Sequence, residues 1–173
     1  MGFSVTIASS IVFIGIMVAF VSASTTMFNG FREIHNAASD YLEQEKERLE
    51  VRVDLEVNSI NDRSLNITVK NIGSKTIFLK IQNGFQWNTI VVSYENNSQW
   101  RSYNIEDYTV SEIRASGTDT TFDTVSHSFV NPGEEALILF TVPEDAPNIP
   151  SNGVVVVAFA THYGTVALKE AVS

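Results

Sequence analysis

The chain has 173 residues, a formal net charge of −9 and no cysteine. The acidic balance excludes nucleic-acid binding, because phosphate recognition needs clustered lysine and arginine, and no cluster of four or more basic residues occurs in the sequence. Without cysteine there is neither a disulfide framework nor a thiolate metal site.

The first predicted element is an apolar helix. No Asp, Glu, Lys or Arg precedes Arg32, and residues 5–28 supply 24 mainly apolar or small positions. About 20 such residues span the hydrocarbon core of a bilayer as a helix, whereas a helix in water needs charge on one face. Residues 3–31 are therefore predicted to be a membrane span or the buried core of a helical assembly.

This apolar stretch differs from a cleavable secretory signal, which begins with a basic segment and is shorter. We therefore expect a retained anchor. The opening Met1-Gly2-Phe3-Ser4-Val5-Thr6 also matches the myristoylation pattern, but a chain that already spans a membrane needs no acyl anchor. Charge leaves the orientation open, because acidic residues are interleaved with the basic ones that follow the span.

The helix is predicted to continue as a polar extension over residues 32–50, which keep a 3–4 spacing of apolar positions. As one helix, residues 3–50 would be about 70 Å long. Within the span, Gly15, Ala19 and Ala23 recur every four residues. Small residues at this spacing let helices approach closely in lipid, although Gly and Ala are common in any span.

At Val51 the spacing of apolar residues changes from the helical period to alternation, which is typical of half-buried strands. Seven or eight short strands predict an all-β, immunoglobulin-like antiparallel sandwich over residues 51–173. One of them, residues 154–161, begins with four valines and is predicted to be central; Tyr163-Gly164 after it signals a hairpin turn. Residues 99–107 and 116–128 are predicted to be exposed loops. The predicted strands lie at 51–57, 65–69, 76–81, 88–94, 108–113, 136–142, 154–161 and 165–170.

The sequence gives little support to catalysis, so we expect no enzyme, metal or cofactor. The histidines are not at ligand spacing from one another, and a surface or hydrogen-bonded structural role is favoured for each. Two acidic residues in a polar loop lack the pattern of a dedicated calcium site, and three glutamates of the helix lie on a solvated face. These residues are His35, His127 and His162, then Asp119 and Asp123, then Glu43, Glu45 and Glu47.

Two N-glycosylation acceptor patterns begin at Asn66 and Asn96, and they favour an external position for residues 51–173. Asn96 is the better candidate, because it lies in a predicted turn. Aromatic residues also cluster nearby, and such side chains are enriched at interfaces. We expect Trp100, Arg101 and Tyr103 to be exposed and to contact a partner.

Four segments carry a family resemblance. They are the opening Met1-Gly2-Phe3-Ser4-Val5, the stretch Ile11-Val12-Phe13-Ile14-Gly15, and two strand-end turns, Val69-Lys70-Asn71-Ile72-Gly73 and Asn131-Pro132-Gly133-Glu134. Together with a long polar helix that enters a β-domain at Val51, they resemble the archaellum stator subunits FlaF and FlaG, which are related to archaellins and type IV pilins. The Met-Gly-Phe-Ser opening is more similar to FlaF.

The resemblance implies a stator component of the archaeal motility machinery. Its helix would stay in the cell membrane, crossing it once, and its sandwich would lie outside, in the pseudoperiplasm, bound to the S-layer through loops or edge strands. The implied partners are S-layer protein, other archaellum stator or motor subunits and membrane lipid. The helix or a sandwich edge could also pair two copies of the chain.

Two alternatives remain open. The first is an archaellin-like or pilin-like filament subunit. It is disfavoured because archaellins and pilins carry a short basic leader, and many pilins keep a Glu near the mature start, where this chain has no basic leader and has Val5. The second is a membrane-tethered module that binds a small ligand or a glycan.

Overall fold

The structure is a computed structural model that describes the backbone of residues 2–82 and 84–173. The side chains of residues 2–6, 82 and 85 lie outside the described set. Met1 also lies outside it, so the opening motif of the sequence is described as backbone alone, from Gly2 onward.

A single continuous helix, α1, runs over Gly2–Glu50 and contains 49 residues. At 1.5 Å per residue its axis is about 74 Å long. No proline interrupts it, and Gly30 does not break it. The chain forms two compact units, one reaching to Glu45 and the other comprising Lys46–Ser173. The last turn of α1 therefore belongs to the second unit.

Thirteen strands follow the helix along the described residues, and all of their pairings are antiparallel. They are β1 (Val53–Asn61), β2 (Ser64–Asn71), β3 (Ile77–Phe78), β4 (Ile81–Gln82), β5 (Phe85–Gln86), β6 (Thr89–Asn96), β7 (Gln99–Ile105), β8 (Tyr108–Ala115), β9 (Thr121–Phe122), β10 (Phe129–Val130), β11 (Glu134–Thr141), β12 (Val154–Ala160) and β13 (Val166–Val172).

Two larger sheets form the sandwich that the sequence predicts, and the predicted fold class is confirmed. One has the strand order β1-β2-β11-β8-β9, and the other has the order β13-β12-β6-β7. Two short ladders, β10-β3 and β4-β5, complete the described strands. Strand β12 lies between β13 and β6, which confirms the central position predicted for the valine-rich strand.

The core lies between the two larger sheets, because alternate side chains of each strand point to the same face. Burying a large aliphatic or aromatic side chain stabilises a fold by about 1.5–3 kcal/mol. Apolar packing of the two sheets is therefore the main source of stability. The largest fully buried side chains include Tyr94, Phe159, Leu65, Ile67, Ile90, Ile113 and Ile138 from the two sheets, and Ile77 from the short strand β3.

The prediction of a loop over residues 99–107 is wrong, because most of this segment forms strand β7, which pairs with β6. Asn97 and Ser98 both have positive φ, 51° and 61°, as in the two-residue turns that close hairpins. The segment is an edge strand and buries only Ile105 fully, so its polar residues obscure the alternation.

The exposed loop predicted over residues 116–128 is also interrupted. Strand β9 pairs with β8 through Ile113 opposite Phe122, and the Phe122 side chain packs against the core. Val125, by contrast, is 88% exposed. The strand predicted at 76–81 is split into β3 and β4.

The turn at residues 71–74 holds the end of α1. The backbone N–H of Ser74 donates to the Glu50 carbonyl at 2.9 Å, and that of Ile72 donates to Arg52 at 3.0 Å. The first of these bonds satisfies one of the carbonyls that a helix leaves open at its C-terminus. The Asn71 side chain fixes the turn, accepting from Gly73 N–H at 3.0 Å and donating to Lys75 and Val130 carbonyls.

Side chains reinforce this junction inside the second unit. Lys75 Nζ lies 2.5 Å from Glu47 Oε1, and this hydrogen bond is the main reason that the pKa of Lys75 is raised. Thr165 Oγ1 donates to the Arg48 carbonyl at 3.1 Å. Glu47, which the sequence places on a solvated helix face, is therefore held by an ion pair.

Substituting Gly73 tests the junction. A Cβ at this position would lie 2.5 Å from both Arg52 N and Glu50 O, and backbone atoms cannot yield as a flexible side chain does. We expect Gly73→Ala to lower the free energy of unfolding by about 2 kcal/mol or more, measured by urea titration of the full chain in detergent, with tryptophan fluorescence as the signal.

Gly30→Ala is the matched control, because a Cβ there has nothing within 4 Å and alanine favours a helix over glycine. Equal stability of Gly73→Ala and the unsubstituted chain would contradict the close packing of turn and helix end.

Candidate interaction surfaces

The first candidate surface is the apolar part of α1. Over the described residues, α1 is long and apolar enough to cross a membrane, and its large apolar side chains are exposed on every side of the helix. Those between half and three-quarters exposed up to Phe31 are Ile7, Ile11, Val12, Phe13, Ile14, Ile16, Met17, Val18, Phe20, Val21, Met27, Phe28 and Phe31.

Gly15, Ala19 and Ala23 lie on one stripe of this helix and are exposed. A Cβ added to Gly15 has nothing within 4 Å. The stripe is thus open to a neighbouring helix, and its role in helix packing stays a prediction.

The two outer faces of the sandwich differ in chemistry. On the five-stranded sheet, the side chains that alternate with the core residues are mainly polar or charged, as expected where an antiparallel sheet faces water. Two leucines of β11 are the exceptions, and Leu139 is 42% exposed. The outward residues of β1, β2 and β11 include Asp54, Glu56, Asn58, Asn66, Thr68, Lys70, Glu135, Leu137 and Leu139.

The outer face of the four-stranded sheet is mainly apolar where β12 and β13 pair, and Glu170 opposite Val156 is the exception. Val154 pairs with Val172, Ala158 with Leu168, and Ala160 with Val166. Leu168 is 68% exposed and Val172 67%. We call this surface the apolar strip; its members are Val154, Val156, Ala158 and Ala160 of β12, Val166, Leu168 and Val172 of β13, and Val91 of β6.

The three residues predicted to contact a partner, Trp100, Arg101 and Tyr103, all lie on strand β7. Trp100 is 54% exposed and lies on the outer face opposite Glu95. Arg101 pairs with Tyr94, whose side chain is buried, so Arg101 lies at an inward position of an edge strand while remaining exposed.

Tyr103 differs from the prediction of exposure. It lies opposite Val92 and packs against the core, with its ring centroid 5.4 Å from that of Tyr94. Among the described residues, its buried hydroxyl has no hydrogen-bond partner. The pKa of Tyr94 is raised to about 12, mainly by burial and to a lesser extent by the nearby Tyr103. The Tyr94 hydroxyl donates to the Pro147 carbonyl at 2.5 Å. Tyr103 is therefore a packing residue.

His127 joins two parts of the sandwich. Its Nε2 lies 2.9 Å from Glu134 Oε2, and its ring stacks on Phe122 with centroids 4.6 Å apart and lies 4.0 Å from Phe129. Glu134 also accepts from the Asn131 N–H at 2.7 Å. Burial raises the pKa of Glu134, but the bonds from His127 and Asn131 outweigh it, and the pKa is lowered. The turn over residues 131–134 is thus held by a hydrogen bond from its first residue to the side chain of Glu134.

His162 also has structural contacts. Its backbone N–H donates to Asn88 Oδ1 at 3.1 Å, and its ring lies among Phe78, Trp87 and Tyr163, with the Tyr163 centroid 4.0 Å away. Burial lowers the pKa of His162, which favours the neutral ring.

The acidic loop residues do not form a metal site over the described part of the chain, where no group of three or more His, Asp or Glu side chains could hold an ion. Asp123 instead accepts from the N–H groups of Val125 and Ser126 and from the Ser126 hydroxyl, at 3.3, 3.2 and 2.9 Å. These three bonds lower the pKa of Asp123, and the bond from the Ser126 hydroxyl has the largest effect.

The two acceptor asparagines have different settings. Asn66 lies inside β2, between β1 and β11, and its Oδ1 accepts from Asn58 at 3.3 Å. Asn96 is the last residue of β6, directly before the hairpin turn, and it donates to the Asn148 carbonyl at 3.4 Å. The hairpin position is the more accessible to a modifying enzyme.

The cleft beside β6 and β7 does not favour the ligand-binding alternative. A cleft of about 360 Å³ beside β6 and β7 is lined by polar and acidic residues, among them Asn104, Glu106 and Asp107. Ligand pockets are mostly apolar with a few placed polar groups.

The fold is shared with a solved archaellum structure. The chain matches a chain of the archaeal flagellum of Methanospirillum hungatei strain JF1 with a TM-score of 0.59 and 16% identity, over 96% of this chain and 92% of that chain. The predicted resemblance to the archaellum group is therefore confirmed at the level of fold: an N-terminal helix followed by a β-sandwich.

Two further solved structures match with lower TM-scores. The archaellum periplasmic stator protein complex FlaF and FlaG from Sulfolobus acidocaldarius matches with a TM-score of 0.44 and 16% identity, over 70% of this chain and 88% of that chain. The archaeal flagellin FlaB1 from Methanocaldococcus jannaschii matches with a TM-score of 0.45 and 17% identity, over 70% of this chain and 90% of that chain. No family model and no curated protein matches the chain.

The Glu134 contacts predict a pH dependence. A carboxylate with a lowered folded-state pKa stabilises the fold above its unfolded pKa, and the effect is lost as the pH falls through the folded pKa. We expect Glu134→Gln to cost about 1–3 kcal/mol of unfolding free energy at pH 7, and to cost progressively less as the pH falls below about 4.5.

Urea titrations of the full chain in detergent at several pH values measure this effect. Glu144→Gln, at an exposed position, is the control and should change stability little at any pH. A pH-independent loss in Glu134→Gln would show that the charge of Glu134 is not what matters.

Proposed function

We propose that this protein is a non-enzymatic stator component of the archaeal motility machinery, fixed in the cell membrane by the first part of α1. The observation that carries the proposal is the division of one 49-residue helix into an exposed, charge-free half and a charged half. The charge-free half suits a bilayer, and the charged half suits water beyond it. The archaellum-type fold supports a place in that machinery.

The proposed mechanism is mechanical. Torque on a rotating filament needs a counter-force, which a sandwich bound to the S-layer would provide. The stripe of Gly15, Ala19 and Ala23 would hold neighbouring membrane subunits through close helix packing. The two glycosylation acceptor patterns support an external sandwich.

The S-layer contact is proposed to lie on the β6–β7 hairpin, through Trp100 and Arg101. Both side chains are exposed, and Trp and Arg are enriched among residues that dominate interface energies. We exclude Tyr103 from the proposed contact because its side chain packs against the core.

Binding of the S-layer protein tests this proposal. We expect the full chain in detergent to bind the organism's purified S-layer protein. We expect Trp100→Ala to raise the dissociation constant about tenfold or more, as measured by biolayer interferometry. Leu139→Ala, which changes an exposed side chain on the other sheet, should bind normally. No binding by the unsubstituted chain would overturn the stator proposal.

A filament subunit is the second candidate, and one observation favours it: the similarity to a chain of an archaeal flagellum covers both the helix and the sandwich. In that case α1 would pack into a fibre core rather than a bilayer.

Cell fractionation separates the two candidates. For a stator, we expect the chain to remain in the membrane fraction after filaments are sheared from the cells, because the apolar helix stays in lipid. Its presence in purified filaments, with a processed N-terminus by mass spectrometry, would favour the filament subunit.

A further inference from the structure

A tight turn over residues 150–153 leads into strand β12. It is closed by a hydrogen bond from the Gly153 N–H to the Pro150 carbonyl at 3.0 Å. Asn152 has a φ of 61°, a conformation that asparagine adopts more readily than most residues. A Cβ at position 153 would lie 2.8 Å from the Pro150 carbonyl oxygen, so glycine alone fits there without a backbone shift. The turn therefore requires glycine at position 153 and favours asparagine at position 152.

The Asn-Gly pair that this turn selects is chemically labile. Asparagine deamidates fastest before glycine, because glycine has no side chain to hinder its own backbone nitrogen. That nitrogen loses its proton and forms a bond to asparagine Cγ, while the Cγ–Nδ2 bond breaks and Nδ2 takes up a proton and leaves as ammonia. Water then opens the cyclic succinimide to aspartate or isoaspartate. Asn152 is exposed, so water reaches its side chain.

Deamidation of Asn152 would damage the start of a central strand. Isoaspartate inserts a methylene into the backbone directly before Gly153, whose carbonyl accepts from the Ser173 N–H at 3.1 Å. The pairing of β12 with β13 begins at the next residue, where Val154 lies opposite Val172. The reaction would also add a negative charge to a chain whose net charge is already −9. The fold thus depends on this asparagine remaining intact.

Ser173 binds both residues of the labile pair. Its Oγ accepts from the Gly153 N–H at 3.1 Å and donates to the Pro150 carbonyl at 2.5 Å. Its backbone carbonyl accepts from the Asn152 N–H at 3.0 Å. The Gly153 N–H is therefore shared between two acceptors, the Pro150 carbonyl and the Ser173 hydroxyl. This N–H is the group that deamidation has to deprotonate.

We propose that Ser173 protects Asn152 from deamidation by holding the Gly153 N–H in these hydrogen bonds. A bonded amide does not lose its proton to a base in solution. Deamidation then proceeds only from a locally opened state, and its rate follows the population of that state, as amide hydrogen exchange does. The protection is independent of the membrane location and of the motility role proposed above.

Deamidation rates test the proposal. The full chain in detergent would be incubated at mildly alkaline pH, folded or in guanidinium chloride, and then cleaved after glutamate. Mass spectrometry of the peptide 145–170, with enzymatic methylation of isoaspartate, measures the rate at Asn152. We expect the folded chain to react at least about tenfold more slowly than the denatured chain. We expect Ser173→Ala to react about tenfold faster than the folded unsubstituted chain, because tenfold corresponds to about 1.4 kcal/mol of opening free energy, the order expected for the two hydroxyl bonds it loses.

Two serine variants provide the controls. Ser151→Ala changes an exposed serine of the same turn and should react at the rate of the unsubstituted chain. Ser173→Thr keeps a hydroxyl at this position and should restore the slow rate. An unchanged rate in Ser173→Ala would overturn the proposal. Equal rates in the folded and denatured unsubstituted chain would also overturn it, and that comparison does not require any variant to fold.

Gly73→Ala separates local opening from global unfolding. This variant weakens the junction at the end of α1 and leaves residues 150–153 and Ser173 unsubstituted. It should not change the deamidation rate at Asn152, because the opening that exposes the Gly153 N–H is local. An acceleration equal to that of Ser173→Ala would show that global stability protects Asn152 and would overturn the proposal. Circular dichroism of each variant checks that it is folded during the incubation.

Discussion

The constraint on which the rest of the structure depends is the solvation of α1. Thirteen large apolar side chains between Ile7 and Phe31 are exposed, and burying side chains of this size is worth about 1.5–3 kcal/mol each. Leaving them in water would therefore cost about 20–40 kcal/mol, more than the whole stability of a typical domain. Membrane insertion or packing into a helical assembly is the physical condition under which this chain exists, and each function considered above begins from it.

The parts of the fold that follow from local periodicity could be predicted from the sequence. The change from helical spacing to alternation near Val51 predicted the transition from helix to sandwich, and the valines at 154–157 predicted a central strand. These patterns are reliable because each side chain faces either core or solvent according to its position.

The rest depends on contacts between distant residues, which periodicity does not encode. Strand β7 is an edge strand with one fully buried residue, so its pattern resembles that of a loop; the Asn97-Ser98 turn was the signal that could have revealed it. Tyr103 was predicted to be exposed, and its position was decided by the pairing of β7 with β6. The apolar strip was missed as well, because β12 is apolar on both faces and only the sheet order shows that one of them is outside.

The last turn of α1 has a consequence for the cooperativity of unfolding. This turn belongs to the second compact unit, where Ser74, Lys75 and Thr165 bind it through three separate bonds. Ser74 and Lys75 follow β2, and Thr165 precedes β13. The turn is therefore held by two distant parts of the sandwich and should unfold together with it, whereas an unsupported helix end frays independently.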